Sequence, residues 1–115
     1  MPSMTIKIGN TGYPVALYEN ATVQALTDKL PMTLEMEELN GNEKYYYFPD
    51  SLPSESRRVG SIKAGELMLY GSDCLVIFYK GLLTPYSYTP IGRIEDTVGL
   101  AHALGRGSVE VTFSN

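Results

Sequence analysis

Apolar residues recur along this chain with two periods, and the switches between them outline its elements. Thr5 to Gly9 and Tyr13 to Tyr18 alternate or run apolar on either side of Asn10-Thr11-Gly12, which predicts a hairpin. Val23, Leu26 and Leu30 then fall at helical spacing behind Asn20, a residue whose side-chain oxygen can accept a first-turn N–H. Pro31 ends that helix, because proline drives its predecessor out of the helical region. Period two returns at once: Met32, Leu34 and Met36 share one face of a strand, and Thr33, Glu35 and Glu37 the other.

Gly41-Asn42 leads into a further strand over Tyr45 to Phe48, on which Tyr45 and Tyr47 lie opposite Tyr46 and Phe48. Residues 49–60, with two prolines, read as an irregular loop. Glu66 to Tyr70 and Cys74 to Lys80, separated by Gly71-Ser72-Asp73, form a second hairpin that is apolar on both faces. Something must cover the second face, a helix or a closed barrel. Leu82 to Pro90 reads as a loop, Gly92-Arg93-Ile94 as a short strand, and Thr97 to Leu104 as a second helix stopped by Gly105. Val109, Val111 and Phe113 alternate in a last strand. Many strands, two short helices and a C-terminus that returns to the sheet predict a closed β-barrel with a helix at each open end.

Composition narrows the function more than the fold. A chain of 115 residues is the size of one domain, here taken as 1–115, and its 43% hydrophobic content suits a packed core. Thirteen acidic against nine basic residues give a net charge of −4, which argues against duplex nucleic acid. No run approaches the ~20 apolar residues that span a bilayer, and no charged-then-apolar leader opens the chain. A cytoplasmic protein without a membrane partner is expected. The lone Cys74 sits in an apolar run and reads as a small buried hydrophobe.

Candidate chemistry centres on tyrosine. Tyr45 and Tyr47, with Tyr86 and Tyr88 from the Leu82–Pro90 loop, can wall an aromatic cleft. The competing readings are packing, for the strand pair, and a rigid proline-flanked lid, for the loop pair. Glu35, Glu37 and Glu38 suggest paired carboxylates, although a solvated outer strand face explains them more simply. His102 is the single imidazole, so neither a metal site nor a hydroxyl nucleophile has the partners it needs. Gly105-Arg106-Gly107 precedes a strand, which suits a helix end and turn rather than a nucleotide loop.

Four segments carry a family resemblance: Gly41-Asn42-Glu43-Lys44-Tyr45, Leu52-Pro53, Gly65-Glu66-Leu67-Met68-Leu69-Tyr70-Gly71 and Tyr86-Ser87-Tyr88-Thr89-Pro90. They resemble the small bacterial and archaeal cyclophilin-like proteins, and Pro90-Ile91-Gly92-Arg93-Ile94 with the helix and strand after it resembles the C-terminal third of cyclophilins. The resemblance implies a closed cyclophilin-like β-barrel with two short capping helices, and a relative of the peptidyl-prolyl isomerases. In those isomerases an arginine on the outer face of the third strand polarises the prolyl amide, and a tryptophan and a histidine help line the pocket. Here that face offers Thr33, Glu35 and Glu37, there is no tryptophan, and His102 lies in a helix. The expectation is therefore a binding module without efficient isomerase activity, without cofactor or metal, taking a small molecule or an extended peptide. Tyr45, Tyr47, Tyr86 and Tyr88 are its expected walls, Glu37 its polar anchor and Arg93 a donor, with an altered-groove isomerase and a homodimer subunit as the alternatives.

Overall fold

The computed structural model describes residues 3–115. In chain order the elements are β1 (Met4–Ile8), β2 (Thr11–Leu17), α1 (Ala21–Thr27), β3 (Met32–Leu39), β4 (Glu43–Tyr47), β5 (Arg57–Arg58), β6 (Ser61–Ile62), β7 (Glu66–Tyr70), β8 (Cys74–Phe78), β9 (Leu82–Leu83), β10 (Ser87–Ile94), α2 (Leu100–Leu104) and β11 (Val109–Ser114). Eight of the strands pair antiparallel in the order β2-β1-β11-β3-β4-β8-β7-β10, and β10 returns to β2 to close a barrel. The fold is mainly β, as the alternation predicts.

Period two sorts each strand between two environments. Ile6, Leu34, Met36, Leu67, Leu69, Leu75, Ile77, Val111 and Phe113 are buried in the barrel core. Val23 and Leu26 of α1, and Leu100 and Leu104 of α2, join the same core. Each such aliphatic side chain is worth about 1.5–3 kcal/mol over leaving it exposed. The alternate residues of β7, β8 and β10, namely Met68, Cys74, Val76, Phe78 and Tyr88, form a second apolar cluster with Ile62. Ile62 pairs with Leu82 in the small β6–β9 ladder, and Val59 and Leu82 pack against that cluster. The second hairpin is thus covered on one face by the barrel interior and on the other by a two-stranded ladder rather than a helix.

Several boundaries differ from the sequence expectation. The first turn is Gly9-Asn10, with Ile8 paired to Thr11, because Gly9 supplies the positive φ of 60°. The loop expected at Leu82–Pro90 yields its second half to β10, an eight-residue strand. Its Pro90 sits beside a break in register against β7, between Pro90 and Gly92, where a missing N–H is tolerated. Arg57-Arg58, expected in a loop, pair with Tyr88 and Ser87 as a short added strand. The second helix spans only Leu100–Leu104, so Val98, inside the expected Thr97–Leu104 range, lies before it and is exposed.

Candidate functional site

Strand β4 presents one face to each environment. Tyr46 and the following Phe48 pack on the barrel core, their rings 5.3 Å apart edge-to-face. Glu43, Tyr45 and Tyr47 share the other face and line a cleft of about 480 Å³, inside the usual range of ~300–1,000 Å³ for ligand sites. The strand order β4-β8-β7-β10 explains its shape. Bulky Tyr45 and Tyr47 rise from β4, small Cys74 and Val76 of β8 lie between, and Tyr70 of β7 with Tyr86 and Tyr88 of β10 and its approach stand beyond. Tyr45 and Tyr47 meet edge-to-face at 5.8 Å; Tyr70 lies 6.0 Å from Tyr86 and 5.5 Å from Tyr88.

Tyr88 is only 5% exposed and packs on Phe78, whereas Tyr47 and Tyr86 are each 58% exposed. Among the described residues, the exposed large apolar side chains other than Tyr18 and Val98, namely Leu39, Tyr47, Tyr70, Leu83 and Tyr86, all line this cleft. Such concentration is unlike the scatter of single apolar residues on an ordinary surface.

Glu43 is the charged group of the cleft. It is 9% exposed and accepts no hydrogen bond among the described residues. Burial, and then the like charge of Glu38, push its carboxyl above the ordinary range. Asn42, next in the chain, also lines the cleft, and its Oδ1 is buried without a hydrogen-bond partner among the described residues. The Cys74 thiol is pushed up to about 11, chiefly by burial, so it is a packing group rather than a nucleophile.

The adjoining Lys44 has the opposite situation. It is fully buried, and its Nζ donates to Glu38 Oε1 at 2.8 Å, to the Gly105 carbonyl at 2.9 Å and to the Gly107 carbonyl. Tyr79 donates its hydroxyl to the same Glu38 oxygen at 2.6 Å, and Gly41 N–H donates to Oε2. Burial pushes the Glu38 carboxyl up, but these hydrogen bonds and the Lys44 charge outweigh it and leave the carboxyl below its ordinary value. All three ammonium protons are used, so Lys44 anchors the segment after α2 to the β3–β4 hairpin and is not available to a ligand.

Of the residues expected at the site, the fold brings Tyr45, Tyr47, Tyr86 and Tyr88 together. Tyr88 comes from a strand instead of a loop and is more wall than contact surface. Glu37 does not line the cleft. It pairs in register with Tyr45 and lines a shallower groove with Glu35 and Ser108, which Tyr45 and Tyr47 also border. Arg93 is exposed between Ala16 of β2 and Glu66 of β7, away from the tyrosines, because β10 carries it past the bulge to the seam of the barrel. Glu43 was legible in principle, since it shares parity with Tyr45 and Tyr47; its burial, and the arrival of Tyr70, depend on pairings across the sheet. Among the described residues no three His, Cys, Asp or Glu side chains gather as a metal-binding set, and no helix is long and apolar enough to cross a membrane.

Comparisons with known proteins agree with this architecture. The solution structure of the hypothetical protein AF2241 from Archaeoglobus fulgidus superposes with a TM-score of 0.63 at 20% identity, covering 97% of this chain and 92% of that one. At that identity the likeness concerns the fold alone. A comparison with curated protein sequences finds no match. The model of the Cyclophilin-like family matches residues 6–114, from the third residue of β1 to the end of β11, and the chain belongs to that family.

Proposed function

We propose that this protein is a binding module whose tyrosine-walled cleft takes a small molecule or an extended peptide, without efficient prolyl isomerase activity. The gathering of five of the seven exposed large apolar side chains among the described residues into one cleft carries this reading. Apolar walls with a few fixed polar groups are the usual build of a ligand site. Isomerase chemistry needs a donor preorganised toward the twisting amide. Among the described residues no arginine, lysine or histidine lines this cleft, and the outer face of β3 carries Thr33, Glu35 and Glu37.

Two measurements test the reading. Aromatic fragments and Xaa-Pro peptides are expected to shift the amide resonances of residues 43–47 in the wild type. In the Tyr47→Ala/Tyr86→Ala double variant, which removes two exposed rings, their affinity falls at least tenfold. Unchanged binding in that variant would sink the cleft as the site. A proline-isomerisation assay with an active cyclophilin as control is expected to show no acceleration, and acceleration near the control would establish the isomerase alternative. The association alternative predicts a concentration-dependent dimer with Tyr47 and Tyr86 protected from solvent.

A further inference from the structure

Among the described residues no protein group donates to the Glu43 carboxylate in the cleft, and beside it the buried Oδ1 of Asn42 has no partner either. Glu43 is 9% exposed as a residue while its carboxylate oxygens still open toward the cleft, and a carboxylate so placed gains from a cation or several N–H groups beside it. Here the neighbouring cation is committed elsewhere, since Lys44 spends its three protons on Glu38, Gly105 and Gly107. Five of the other lining residues are tyrosines, and ring faces attract cations. Outside the cleft, Glu35 lies directly opposite Glu110 in the β3–β11 register, with Glu37 two residues along. Like charges placed opposite one another cost stability, and they extend the negative surface toward Tyr45.

Resting on the cleft as the binding site, we propose that its ligand carries a protonated primary amine, with Glu43 as counter-ion and the tyrosine rings around the alkyl chain. A primary ammonium has N–H donors for both carboxylate oxygens. A quaternary ammonium has none and would leave the acceptors unpaired. The ammonium can come from a free alkylamine or from a lysine side chain of a peptide, and the acidic strip of Glu37, Glu35 and Glu110 favours the peptide.

The test titrates the full chain with n-butylammonium, n-butanol, tetramethylammonium, and a short acetylated, amidated Gly-Ala-Lys-Ala-Gly peptide with and without an acetyl group on the lysine Nε. Amide shifts of residues 43–47 report binding. The expected result is that n-butylammonium and the free-lysine peptide each bind at least tenfold tighter than their neutral counterparts. Glu43→Gln abolishes that preference, and Tyr47→Leu weakens ammonium binding while leaving the folded spectrum intact. A peptide at least tenfold tighter than n-butylammonium identifies a polypeptide source, and equal affinities a free amine; both support the site. Equal binding of charged and neutral probes, or a preference unchanged in Glu43→Gln, overturns the ammonium assignment and leaves the cleft reading standing. Tetramethylammonium binding as tightly as n-butylammonium overturns the role of the N–H donors. No shift with any of these probes overturns the inference, and the cleft reading falls with it only if the aromatic fragments and Xaa-Pro peptides also fail.

Discussion

Glu43 and Lys44 are neighbours in one strand, carry opposite charges, and are both buried, yet only one of them is paired. Removing Lys44 exposes what its pairing is worth. Lys44→Met keeps most of the apolar stem but leaves the Gly105 and Gly107 carbonyls without their donor and Glu38 without its cation. The Glu38 left behind is 20% exposed and can be rehydrated, so the loss is set by the orphaned carbonyls at about 1–3 kcal/mol, and the urea midpoint of Lys44→Met is expected to drop by a corresponding amount. A loss under ~1 kcal/mol would mean that water satisfies the network. Glu43 predicts the reverse. Its folded-state carboxyl is raised, by burial and then by Glu38, so the folded chain holds that proton more tightly than the unfolded one. The stability it contributes is therefore present below the unfolded value and is lost as pH rises through the folded value. The groups around it, the cleft tyrosines, Cys74 and Glu38, supply no positive charge to offset this. Thermal melts should place Glu43→Gln above the wild type at neutral pH, with the gap closing as pH falls through the carboxylate range. A gap independent of pH would mean that Glu43 finds a partner in solution.

Helix α1 has seven residues, too few to persist without tertiary support, and Asn20 ties it in at two points. Its Oδ1 accepts from Val23 N–H at 2.8 Å, and its Nδ2 donates to the Pro90 carbonyl of β10 at 2.9 Å. Asn20→Ala loses a cap worth ~1 kcal/mol and a hydrogen bond worth about another. Asn20→Ser keeps a capping acceptor and loses the reach to Pro90, so urea denaturation is expected to rank it between Ala and the wild type. Equal losses in the two variants would place the whole effect in the bond to β10. The cap was legible in the sequence because capping is local, as were β3 and β11, whose faces differ in polarity at every second residue. Tyr88 was not legible as a buried strand residue, since Pro85 and Pro90 mark the segment as a loop and only the bulge against β7 reconciles Pro90 with a strand. Nor was Lys44, whose acceptors lie 61 and 63 residues away in the chain. Local pattern fixes which face a residue takes; what waits on that face depends on the pairing of distant strands.

Closure of the barrel decides how the molecule can bind and how it fails. The eight ring strands are paired on both sides, so a peptide finds no free main-chain edge on them to extend, and recognition falls to side chains in the cleft. The cleft spans β4, β8, β7 and β10, and β10 is also the strand that closes on β2. That seam depends on Gly92. A Cβ there would lie 2.5 Å from the Ala16 carbonyl oxygen and 3.1 Å from Leu17 Cα, both backbone atoms of β2. Neither can give way without moving the strand, and β2 is held on its other side by β1. Gly92→Ala must therefore strain the seam or open it, at a cost of about 2–3 kcal/mol typical of an overpacked site. For a chain of this size that is a fall of roughly 10 °C in Tm. Gly107→Ala is the matched control, because a Cβ there meets nothing within 4 Å, and its stability should stay within ~0.5 kcal/mol of the wild type. If Gly92→Ala melts with the control, β10 and β2 separate freely in solution and the barrel is open along that seam. If it melts early while Gly107→Ala does not, the stability of the whole sheet, and the position of Tyr88 in the cleft, rest on one residue having no side chain.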